Sequence, residues 1–572
     1  MAAIDARCAD LLQELVTLWE NPPDVAHPFN IELFRDYLSD HPDGEINIKY
    51  VVDGFPLWLT SRDPNKLSKQ IFNIIRDKDD LYHMLLRMVK EARTGKISPA
   101  PKQGHYQLNL LCVPKKDAET GYMTDVRVAR HGSYAARHKI AINSKIDKER
   151  CKMENLPNTR KYIERLIEYG YVSIRDLKDA FRQLMLASKD IGWVQYCLFG
   201  LPFWDKRQAY GLSSAAANCQ HFGNLLIWIY ENKYLPPGMK NRVLVHIDDF
   251  LISSRSEKEA IFMGARFDKM CDDLGVKVSH KKSETAIVEG VVHGMRFDLV
   301  TDDVEIPVLK FQELMKGIDL MYKWRWVQGL ALESMCGKMM HYSQLRKQAK
   351  VLCYRLLGFI YEKIRKNPRN KWRLYYLPDV ILQDLLFWKK YAWYMRRVSM
   401  RSVLNQPSIT ISASSDASSF AGGFVVGGHF GSYLFSDKPN KRGLIHRKMH
   451  INLQEAHAVL MLLHNFRHEL TGHQILLYID NKPVLYSIFR EWSGSLQLME
   501  FVQEISLLMC VYSIGIRVDY IHSELNGFSD ALSRLDYRRF EQLARVNYLS
   551  FDKTPTKLEY YSDLPLLYDG TK

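Results

Sequence analysis

The sequence predicts a multidomain protein of mixed α/β and α+β class. Its 572 residues exceed what one hydrophobic core usually organises, since domains typically hold roughly 100–200 residues. Strand-like and helical runs alternate over residues 96–308, a mainly helical region follows over 309–404, and strands surround a helix over 405–540. A helical and mixed N-terminal extension (1–95) and a C-terminal tail (541–572) complete the expected organisation.

The composition is that of a globular protein with a basic surface. Hydrophobic residues make up 47% of the chain, and 79 Lys and Arg against 65 Asp and Glu give a formal net charge of +14. This excess favours a polyanionic partner, nucleic acid first and an anionic membrane second. A basic surface that serves only solubility is the equally weighted alternative.

The cysteines and the N-terminus indicate an intracellular protein. The nine cysteines form no CxxC pair, which argues against a zinc knuckle and against a disulfide framework, and favours a reducing compartment. The first twelve residues, MAAIDARCADLL, carry acids and no long apolar core, unlike a signal peptide. No stretch approaches about 20 uncharged apolar residues. We therefore expect a location in the cytoplasm or nucleus, with no secretion and no membrane partner.

The first half of the chain contains several recognisable segments. Residues 71–94, "IFNIIRDKDDLYHMLLRMVKEART", have helical apolar spacing and predict one long helix. "GKISPAPKQG" (95–104) is a Gly/Pro-rich break, after which "YQLNLLCVPKK" predicts a strand. Residues 241–254, "NRVLVHIDDFLISS", predict a hairpin with Asp248 and Asp249 at its tip. The amphipathic run that follows predicts a helix ending at Gly275.

The region from Met321 to Arg401 is strongly basic and rich in tryptophan. It holds 18 Lys and Arg against 4 Asp and Glu. Cations interleaved with aromatic rings suit a nucleic-acid track, with the cations on phosphates and the rings on sugars or bases. Helix core is the competing assignment, and for any single tryptophan it is the favoured one. The tryptophans concerned are Trp324, Trp326, Trp372, Trp388 and Trp393.

Two adjacent aspartates inside an apolar run require compensation. Like charges among hydrophobic residues are costly unless something cancels them. Divalent ions such as Mg²⁺ prefer oxygen ligands and can activate a 3′-hydroxyl and stabilise a leaving pyrophosphate. Such a site needs a further carboxylate from another strand, which Asp176 supplies at the end of the β-rich run "YVSIRD", with Asp179 three residues on.

These residues resemble the palm of reverse transcriptases. In that family an Asp opening the first palm motif and the Asp pair of a (Y/F)xDD hairpin hold the metals, which implies Asp176, Asp248 and Asp249 here. The resemblance implies two Mg²⁺ or Mn²⁺ ions. Asp179, Ala180 and Phe181 match the segment under the incoming nucleotide, and Phe181 matches the steric gate that excludes a 2′-hydroxyl. Core packing is the alternative role of Phe181.

Further motifs follow in the family's order. "LLCVPKKD" and "DVRVARHGS" resemble paired fingers strands, with Lys115 or Lys116, and Arg127, near the triphosphate. "QAYGLSSAAANCQHF" resembles the motif that shapes the nucleotide pocket, with Gly211 and Ser214 matching and Tyr210 departing from the commonest residue.

The last two polymerase motifs imply a proton donor for the leaving group and a helix of the thumb. "LGVKVSHKKSE" resembles the motif in which Lys282 could protonate the pyrophosphate. "LESMCGKMMHYSQL" resembles the thumb helix that tracks the minor groove. His246 stands where the hairpin usually has an aromatic residue, and either packs or contacts the primer end.

A second set of acids lies in the C-terminal α/β region. Asp416, Glu455, Asp480 and Asp530 each have an ordinary reading as turn, surface, strand-end or cap residue. Together they resemble the D-E-D-D set of ribonuclease H, in which carboxylates hold two metal ions that activate water. His522 and Asn526 match that family's mobile His loop.

Both resemblances together imply a right-hand polymerase (fingers, palm and thumb) followed by a ribonuclease H domain. "DNKPV", "DALSR" and "WDKRQAYGLSS" look most like DIRS-like tyrosine-recombinase retroelements, and next like gypsy-like LTR elements. The implied partners are an RNA template, a DNA primer, dNTPs and an RNA–DNA hybrid. The alternatives are a catalytically inactive RNA-binding scaffold with the same folds and a domesticated enzyme with a host role.

Overall fold

The computed structural model describes most of the chain and divides it into two compact units, Met1–Val288 and Glu289–Lys572. The described residues are 6–63, 73–101, 108–116, 123–134, 139–404, 410–438 and 446–551. Both units mix helices and strands, as the sequence predicts.

The first unit contains eight described α-helices and nine described strands. The helices are α1 Ala6–Glu20, α2 Ile31–Leu38, α3 Gly44–Asp53, α4 Lys78–Arg93, α5 Thr159–Tyr169, α6 Ser188–Ile191, α7 Ser213–Ile229 and α8 Glu257–Leu274. The strands are β1 Ile97–Pro99, β2 Leu110–Lys116, β3 Met123–Arg130, β4 Tyr171–Asp176, β5 Gln195–Leu198, β6 Leu201–Asp205, β7 Val243–His246, β8 Asp249–Ser254 and β9 Glu284–Ile287.

A four-stranded antiparallel sheet in the order β7-β8-β4-β9 forms the centre of the first unit. Helices α7 and α8 pack on it through a core that includes Phe222, Phe250 and Phe267. Strands β2 and β3 form a separate hairpin, and β1, β6 and β5 form a third sheet. The predicted hairpin over 241–254 is therefore confirmed as β7 and β8.

Local capping explains where two of the predicted helices begin and end. Helix α8 ends as expected at Gly275, which adopts the left-handed conformation with φ +77°. The helix predicted over 71–94 begins later, at Lys78, because the Asp77 carboxylate accepts a hydrogen bond from the Asp80 N–H and so caps the first turn. Apolar periodicity alone extended this helix too far toward the N-terminus.

The second unit contains ten described α-helices and eleven described strands. The helices are α9 Val308–Trp324, α10 Gly329–Tyr342, α11 Tyr354–Phe359, α12 Asp379–Arg396, α13 Met400–Leu404, α14 Ile451–Asn465, α15 Lys482–Arg490, α16 Leu496–Tyr512, α17 Gly527–Ser533 and α18 Tyr537–Val546. The strands are β10 Glu289–Val292, β11 Met295–Asp298, β12 Asp303–Glu305, β13 Trp326–Gln328, β14 Leu374–Tyr376, β15 Arg397–Ser399, β16 Thr410–Ala417, β17 Ala421–Val426, β18 His429–Leu434, β19 Gln474–Ile479 and β20 Gly515–Tyr520.

The α/β region of the second unit is built on a five-stranded sheet in the order β18-β17-β16-β19-β20. The first two pairings are antiparallel, and β16, β19 and β20 run parallel. Alternate residues of a strand face opposite sides. Phe424 and Val426 accordingly join the core under α14 and α16, whereas Val425 joins the cluster with Leu532 of α17 and Phe540 of α18. The sheet therefore has helices on both faces.

Short strands interrupt the region that the sequence predicts as mainly helical. Strands β13 and β14 pair as an antiparallel ribbon, and β15 joins a four-stranded sheet with β10, β11 and β12. Among the described residues, no helix is both long and apolar enough to cross a membrane.

Candidate active sites

Three acids meet at the tip of the β7–β8 hairpin in the first unit. Asp176 ends β4 and lies directly opposite Asp249, the first residue of β8, in the antiparallel register. Asp248 occupies the turn, and its carbonyl accepts a hydrogen bond from the Leu177 N–H at 3.0 Å. Facing side chains in such a pair have Cβ atoms roughly 5 Å apart. The structure thus brings together the three residues that the sequence predicts as polymerase metal ligands.

The electrostatics of this hairpin tip favour a bound cation. Asp249 is open to solvent on one side, yet desolvation by its protein surroundings, followed by the charges of Asp248 and Asp176, raises its pKa to about 7. Burial, followed by repulsion from Asp176, also raises the pKa of Asp248. The ammonium of Lys282 lies 2.7 Å from Asp176 Oδ2 and offsets part of this negative charge. Divalent ions with oxygen preference fit this donor set.

The hairpin turn is held in an uncommon backbone conformation. Ile247 has φ +63°, a region that β-branched residues rarely adopt. The buried Gln220 side chain of α7 brackets the turn, because its Oε1 accepts from the Ile247 N–H at 2.7 Å and its Nε2 donates to the Val245 carbonyl at 3.1 Å. Sequence reasoning missed Gln220, since no spacing rule links a mid-helix glutamine to a turn 27 residues later.

The predicted nucleotide-pocket residues form a connected group beside this site. The Phe181 and Tyr210 rings meet edge to face with centroids 5.0 Å apart, and the Arg127 guanidinium lies 5.6 Å from the Tyr210 ring centre. Gly211 has φ +95°, and a Cβ there would lie 2.1 Å from the Arg130 carbonyl, so no other residue fits without movement.

The remaining predicted pocket residues are placed as follows. Asp179 has φ +51° and pairs with Arg87 at 2.8 Å. Burial opposes ionisation of Asp179, but the Arg87 charge and hydrogen bond outweigh it and lower the Asp179 pKa. Ala180 is buried. Lys115 and Lys116 belong to β2, but their side chains lie outside the described part of the structure.

His246 is half-buried at the end of β7, where it pairs in register with Asp249. Desolvation lowers its pKa, which favours the neutral imidazole. Ser214 is fully buried in the first turn of α7.

A second acidic group lies in the five-stranded sheet of the second unit. Asp416 of β16, Glu455 of α14 and Asp480, which follows β19, offer carboxylate oxygens that all lie within 4.8 Å of one another. Ser533 hydrogen-bonds to Asp416, and Ser523 donates to Asp480 Oδ2 at 2.7 Å. The structure thus assembles three of the four acids that the sequence predicts for this site.

Burial makes this group costly without a cation. Desolvation, followed by the charges of Asp416 and Asp480, raises the pKa of Glu455 to about 9. Desolvation raises the pKa of Asp416 to about 6 although the Ser533 hydrogen bond opposes it. Glu455 Oε2 is buried and has no hydrogen-bond partner among the described residues. A buried oxygen without a hydrogen-bond partner, close to two further carboxylates, fits a divalent metal ion.

Asp530, the fourth predicted ligand, is engaged elsewhere. Its Oδ1 accepts from Arg534 Nε and its Oδ2 from Arg539, both at 2.7 Å. Asp530 lies near enough to Asp416 to raise that residue's pKa, but it does not belong to the three-carboxylate group. Sequence spacing cannot show that Arg534 and Arg539, further along the chain, occupy both carboxylate oxygens of Asp530.

The predicted His loop runs alongside this group. His522 is exposed and its ring contacts Tyr520 edge to face, with centroids 5.2 Å apart. Asn526 is buried, and its amide donates to the Ser415 carbonyl at 3.0 Å, next to Asp416.

The tryptophans of the basic region are mostly at the surface. Trp388 is fully buried, as the core assignment expects, whereas the other four are more than half exposed: Trp324 64%, Trp326 58%, Trp372 56% and Trp393 66%. For these four the core assignment favoured by the sequence is wrong. Helical periodicity did not apply to two of the four, because Trp326 begins strand β13 and Trp372 ends the short 3₁₀ helix Pro368–Trp372.

The β13–β14 ribbon presents an aromatic face. Trp326 lies opposite Tyr376 with ring centroids 5.5 Å apart, and Leu374 is 63% exposed on the same side. The Lys371 ammonium lies 5.4 Å from the Trp372 ring centre. We refer to Trp326, Trp372, Leu374 and Tyr376 as the aromatic ribbon.

Comparisons with known proteins give the following findings. No known protein family matches the chain, and no curated protein matches it. Among solved structures, it is similar to a foamy viral protease–reverse transcriptase (dRH) in complex with double-stranded DNA, with TM-score 0.42 and 12% identity over 87% of this chain and 83% of that one.

Two further structures show the same kind of similarity. A foamy viral protease–reverse transcriptase in complex with an RNA/DNA hybrid has TM-score 0.39 and 14% identity over 88% of this chain and 64% of that one. A foamy viral protease–reverse transcriptase in complex with double-stranded DNA has TM-score 0.40 and 14% identity over 88% of this chain and 99% of that one. At these TM-scores the structural similarity is weak. A function for this protein therefore has to be argued from its own residues.

Proposed function

We propose that this protein is an RNA-directed DNA polymerase with an associated ribonuclease H, acting inside the cell on retroelement RNA. The observation that carries the proposal is the presence of two separate carboxylate groups, one in each unit. Asp176, Asp248 and Asp249 meet in the first unit, and Asp416, Glu455 and Asp480 meet in the second. Like charges held close together are costly, and the presence of two such groups is most simply explained by metal-dependent chemistry.

In the polymerase site, the three aspartates would hold two Mg²⁺ or Mn²⁺ ions. Bound there, such ions would activate a primer 3′-hydroxyl and stabilise the departing pyrophosphate. Gln220 fixes the turn that carries Asp248, so that the carboxylates need not rearrange when substrate binds. Arg127 and Tyr210 bound the pocket in which a dNTP would lie, and Phe181 would close it against a 2′-hydroxyl.

In the nuclease site, Asp416, Glu455 and Asp480 would hold the ions that activate water to cut the RNA strand of a hybrid. Ser533 and Ser523 orient two of these carboxylates through hydrogen bonds. Asp530 would join the group only after leaving Arg534 and Arg539, whose charges would then be available to backbone phosphates.

The motif likeness to DIRS-like elements, and next to gypsy-like elements, supports a retroelement origin as part of the same proposal. The alternative is a scaffold that keeps the folds and binds RNA without catalysis. The persistence of both acidic groups favours an enzyme.

Primer extension tests the polymerase. Purified full-length chain is given a DNA-primed RNA template, dNTPs and Mg²⁺ or Mn²⁺, beside Asp248→Asn and the surface control Asp36→Asn on α2. We expect extension by the wild type and the control but not by Asp248→Asn. Absence of extension by the wild type with either ion would favour the scaffold.

A labelled RNA–DNA hybrid tests the nuclease. Asp480→Asn should abolish cleavage, whereas Glu541→Gln, an exposed acid on α18, should leave it intact. Cleavage that persists in Asp480→Asn would show that the second site is wrongly assigned.

A further inference from the structure

A cluster of four charged residues is buried in the first unit, away from the carboxylates of the candidate metal site. Arg130, Arg182 and Asp205 are 0% exposed and Glu91 is 3% exposed. They come from four segments: Glu91 from α4, Arg130 from the end of β3, Arg182 from the 3₁₀ turn Ala180–Arg182, and Asp205 from the end of β6. We refer to these four as the buried ion cluster.

Each guanidinium of the cluster contacts both carboxylates. Arg182 donates to Glu91 Oε2 at 2.8 Å and to Asp205 Oδ1 at 2.6 Å. Arg130 lies 3.2 Å from Glu91 Oε2, and its Nε lies 2.6 Å from Asp205 Oδ2 as an ion pair without hydrogen-bond alignment. The four formal charges cancel, which is the condition for burying them. Replacing such groups by apolar residues often costs little, so stability alone does not explain the cluster.

The cluster is tied to both members of the Phe181–Tyr210 ring pair. Arg182 is the residue after Phe181, and its guanidinium also donates to the Gln208 carbonyl at 3.1 Å, two residues before Tyr210. The Arg130 N–H donates to the Tyr210 carbonyl at 2.7 Å. The two rings whose contact shapes the pocket are thus each anchored, through main chain, to the same rigid group.

A third connection leads to the neighbouring pocket residue. Arg87 donates to Glu91 Oε1 at 3.2 Å and pairs with Asp179 at 2.8 Å. Glu91 therefore contacts Arg87, Arg130 and Arg182, and it is the one carboxylate through which these three cations meet. A shift of Glu91 would be transmitted to Asp179, Phe181 and Tyr210 together.

We propose that the buried ion cluster is a specificity-determining device: it positions the Phe181–Tyr210 pair and thereby sets how strongly the site prefers deoxyribonucleotides over ribonucleotides. Its members are positioning residues and touch no substrate. The proposal rests on the polymerase function proposed above.

The test compares the preference for a dNTP over the matching rNTP, as the ratio of kcat/KM values in primer extension. Glu91→Gln keeps the side-chain size but removes the charge that three arginines share, and Arg182→Lys removes the two-pronged contact. We expect each to lower the preference on the order of tenfold, mainly through a higher KM for the dNTP and a lower KM for the rNTP, because small displacements of positioning groups have effects of this size.

The matched control is Glu259→Gln. Glu259 pairs with Arg242 at 2.6 Å in the same unit, and the pair has no contact to the ring pair in the described structure. We expect it to lower Tm but to leave the dNTP preference unchanged. Tyr196→Phe is a milder second variant, since it removes only the hydroxyl that accepts from Arg130 at 3.2 Å, and it should lower the preference less than Glu91→Gln.

The outcomes separate the two proposals. Unchanged dNTP preference in Arg182→Lys and Tyr196→Phe, with Tm lowered as in Glu259→Gln, would overturn the specificity role and leave a structural one. If Glu91→Gln does not fold, those two variants decide the question. Absence of extension by the wild-type chain would instead overturn the polymerase function and this inference with it.

Discussion

Gly423 of β17 lies directly beneath the main chain of Ser533 in α17: a Cβ added at 423 would be 2.4 Å from the Ser533 nitrogen. Gly423 is also the register partner of Asp416. The absence of a side chain therefore lets α17 approach the strand closely enough for Ser533 to hydrogen-bond to Asp416.

Gly423→Ala should impair both the fold of the second unit and the nuclease activity proposed for it. The added methyl group meets backbone, which cannot turn away, so we expect a loss of about 1–3 kcal/mol in the free energy of unfolding and reduced hybrid cleavage. Chemical denaturation and a cleavage assay measure the two effects. Gly428→Ala, where a Cβ meets nothing within 4 Å, should change neither. Equal effects of the two substitutions would contradict the close approach of α17.

Gln220→Met should reduce primer extension while leaving hybrid cleavage intact. The change leaves the Ile247 N–H and the Val245 carbonyl without their partners, at a cost of about 1–3 kcal/mol for each buried group. The turn that carries Asp248 would then relax from its positive φ. The rate of primer extension, with hybrid cleavage as the internal reference, measures the effect. Full extension activity in Gln220→Met would show that the turn keeps its conformation without the Gln220 hydrogen bonds.

Removal of divalent ions should lower the stability of the second unit. Chelation removes the stabilisation that a bound ion gives to the folded state, so Tm should fall by several degrees, since about 1 kcal/mol corresponds to roughly 2–4 °C for a unit of this size. Glu455→Gln should change Tm in chelator little, because the raised pKa keeps Glu455 protonated when no ion is bound, and it should abolish the response to added Mn²⁺. Glu541→Gln should respond like the wild type. A Tm that ignores metal in the wild type would argue against ion binding.

The stability of the second unit should depend on pH through Asp384. This buried carboxylate accepts from Gln503 at 2.9 Å and lies 3.3 Å from Arg355, yet burial, the largest effect, raises its pKa to about 7. Because the folded pKa is above the usual value of 3.8, folding favours the protonated acid, so stability is lost as pH rises from about 4 through 7.

Asp384→Asn should flatten that part of the pH profile. The effect is at most a few kcal/mol, since each pKa unit corresponds to about 1.4 kcal/mol. Urea denaturation between pH 4 and pH 8 provides the measurement, with the exposed Asp437→Asn as control. A wild-type profile identical to that of Asp384→Asn would contradict the raised pKa.

The aromatic ribbon should contribute to binding of single-stranded nucleic acid. Base–aromatic stacking is worth about 1–3 kcal/mol per ring, and residues 363–373 next to it hold six Lys and Arg and no acid. Trp326→Ala together with Trp372→Ala should weaken binding of a labelled oligonucleotide, measured by fluorescence anisotropy. Trp492→Ala, an exposed tryptophan elsewhere in the unit, is the control and should bind like the wild type.

Local patterns in the sequence predicted the elements that carry the candidate metal-binding acids of the first unit. The apolar flanks of Asp248 and Asp249 predicted a hairpin, and strand β4 placed Asp176 beside it. Gly275 predicted the end of α8 because glycine readily adopts the left-handed backbone conformation that ends a helix. In each case the physical cause lies within a few residues of the feature.

Features that depend on partners distant in the chain were not predictable in this way. The bracket that Gln220 forms around Ile247, and the four-segment cluster around Glu91, exist only once separate elements have packed. The capture of Asp530 by Arg534 and Arg539 depends on side-chain geometry that a D-E-D-D pattern does not encode. The exposure of Trp326 likewise follows from pairing with a strand about 50 residues away.

The two carboxylate groups have a consequence for how this protein changes over generations. Asp176 and Asp249 are set by the sheet of the first unit, and Asp416 and Asp480 by the sheet of the second, so none of the described strands contributes to both groups. Under the proposed function, a substitution in one group would therefore leave the carboxylates of the other group in place. A lineage that lost the proposed polymerase or the proposed nuclease by a single substitution would keep the acids of the other site, and selection would then act on that site alone.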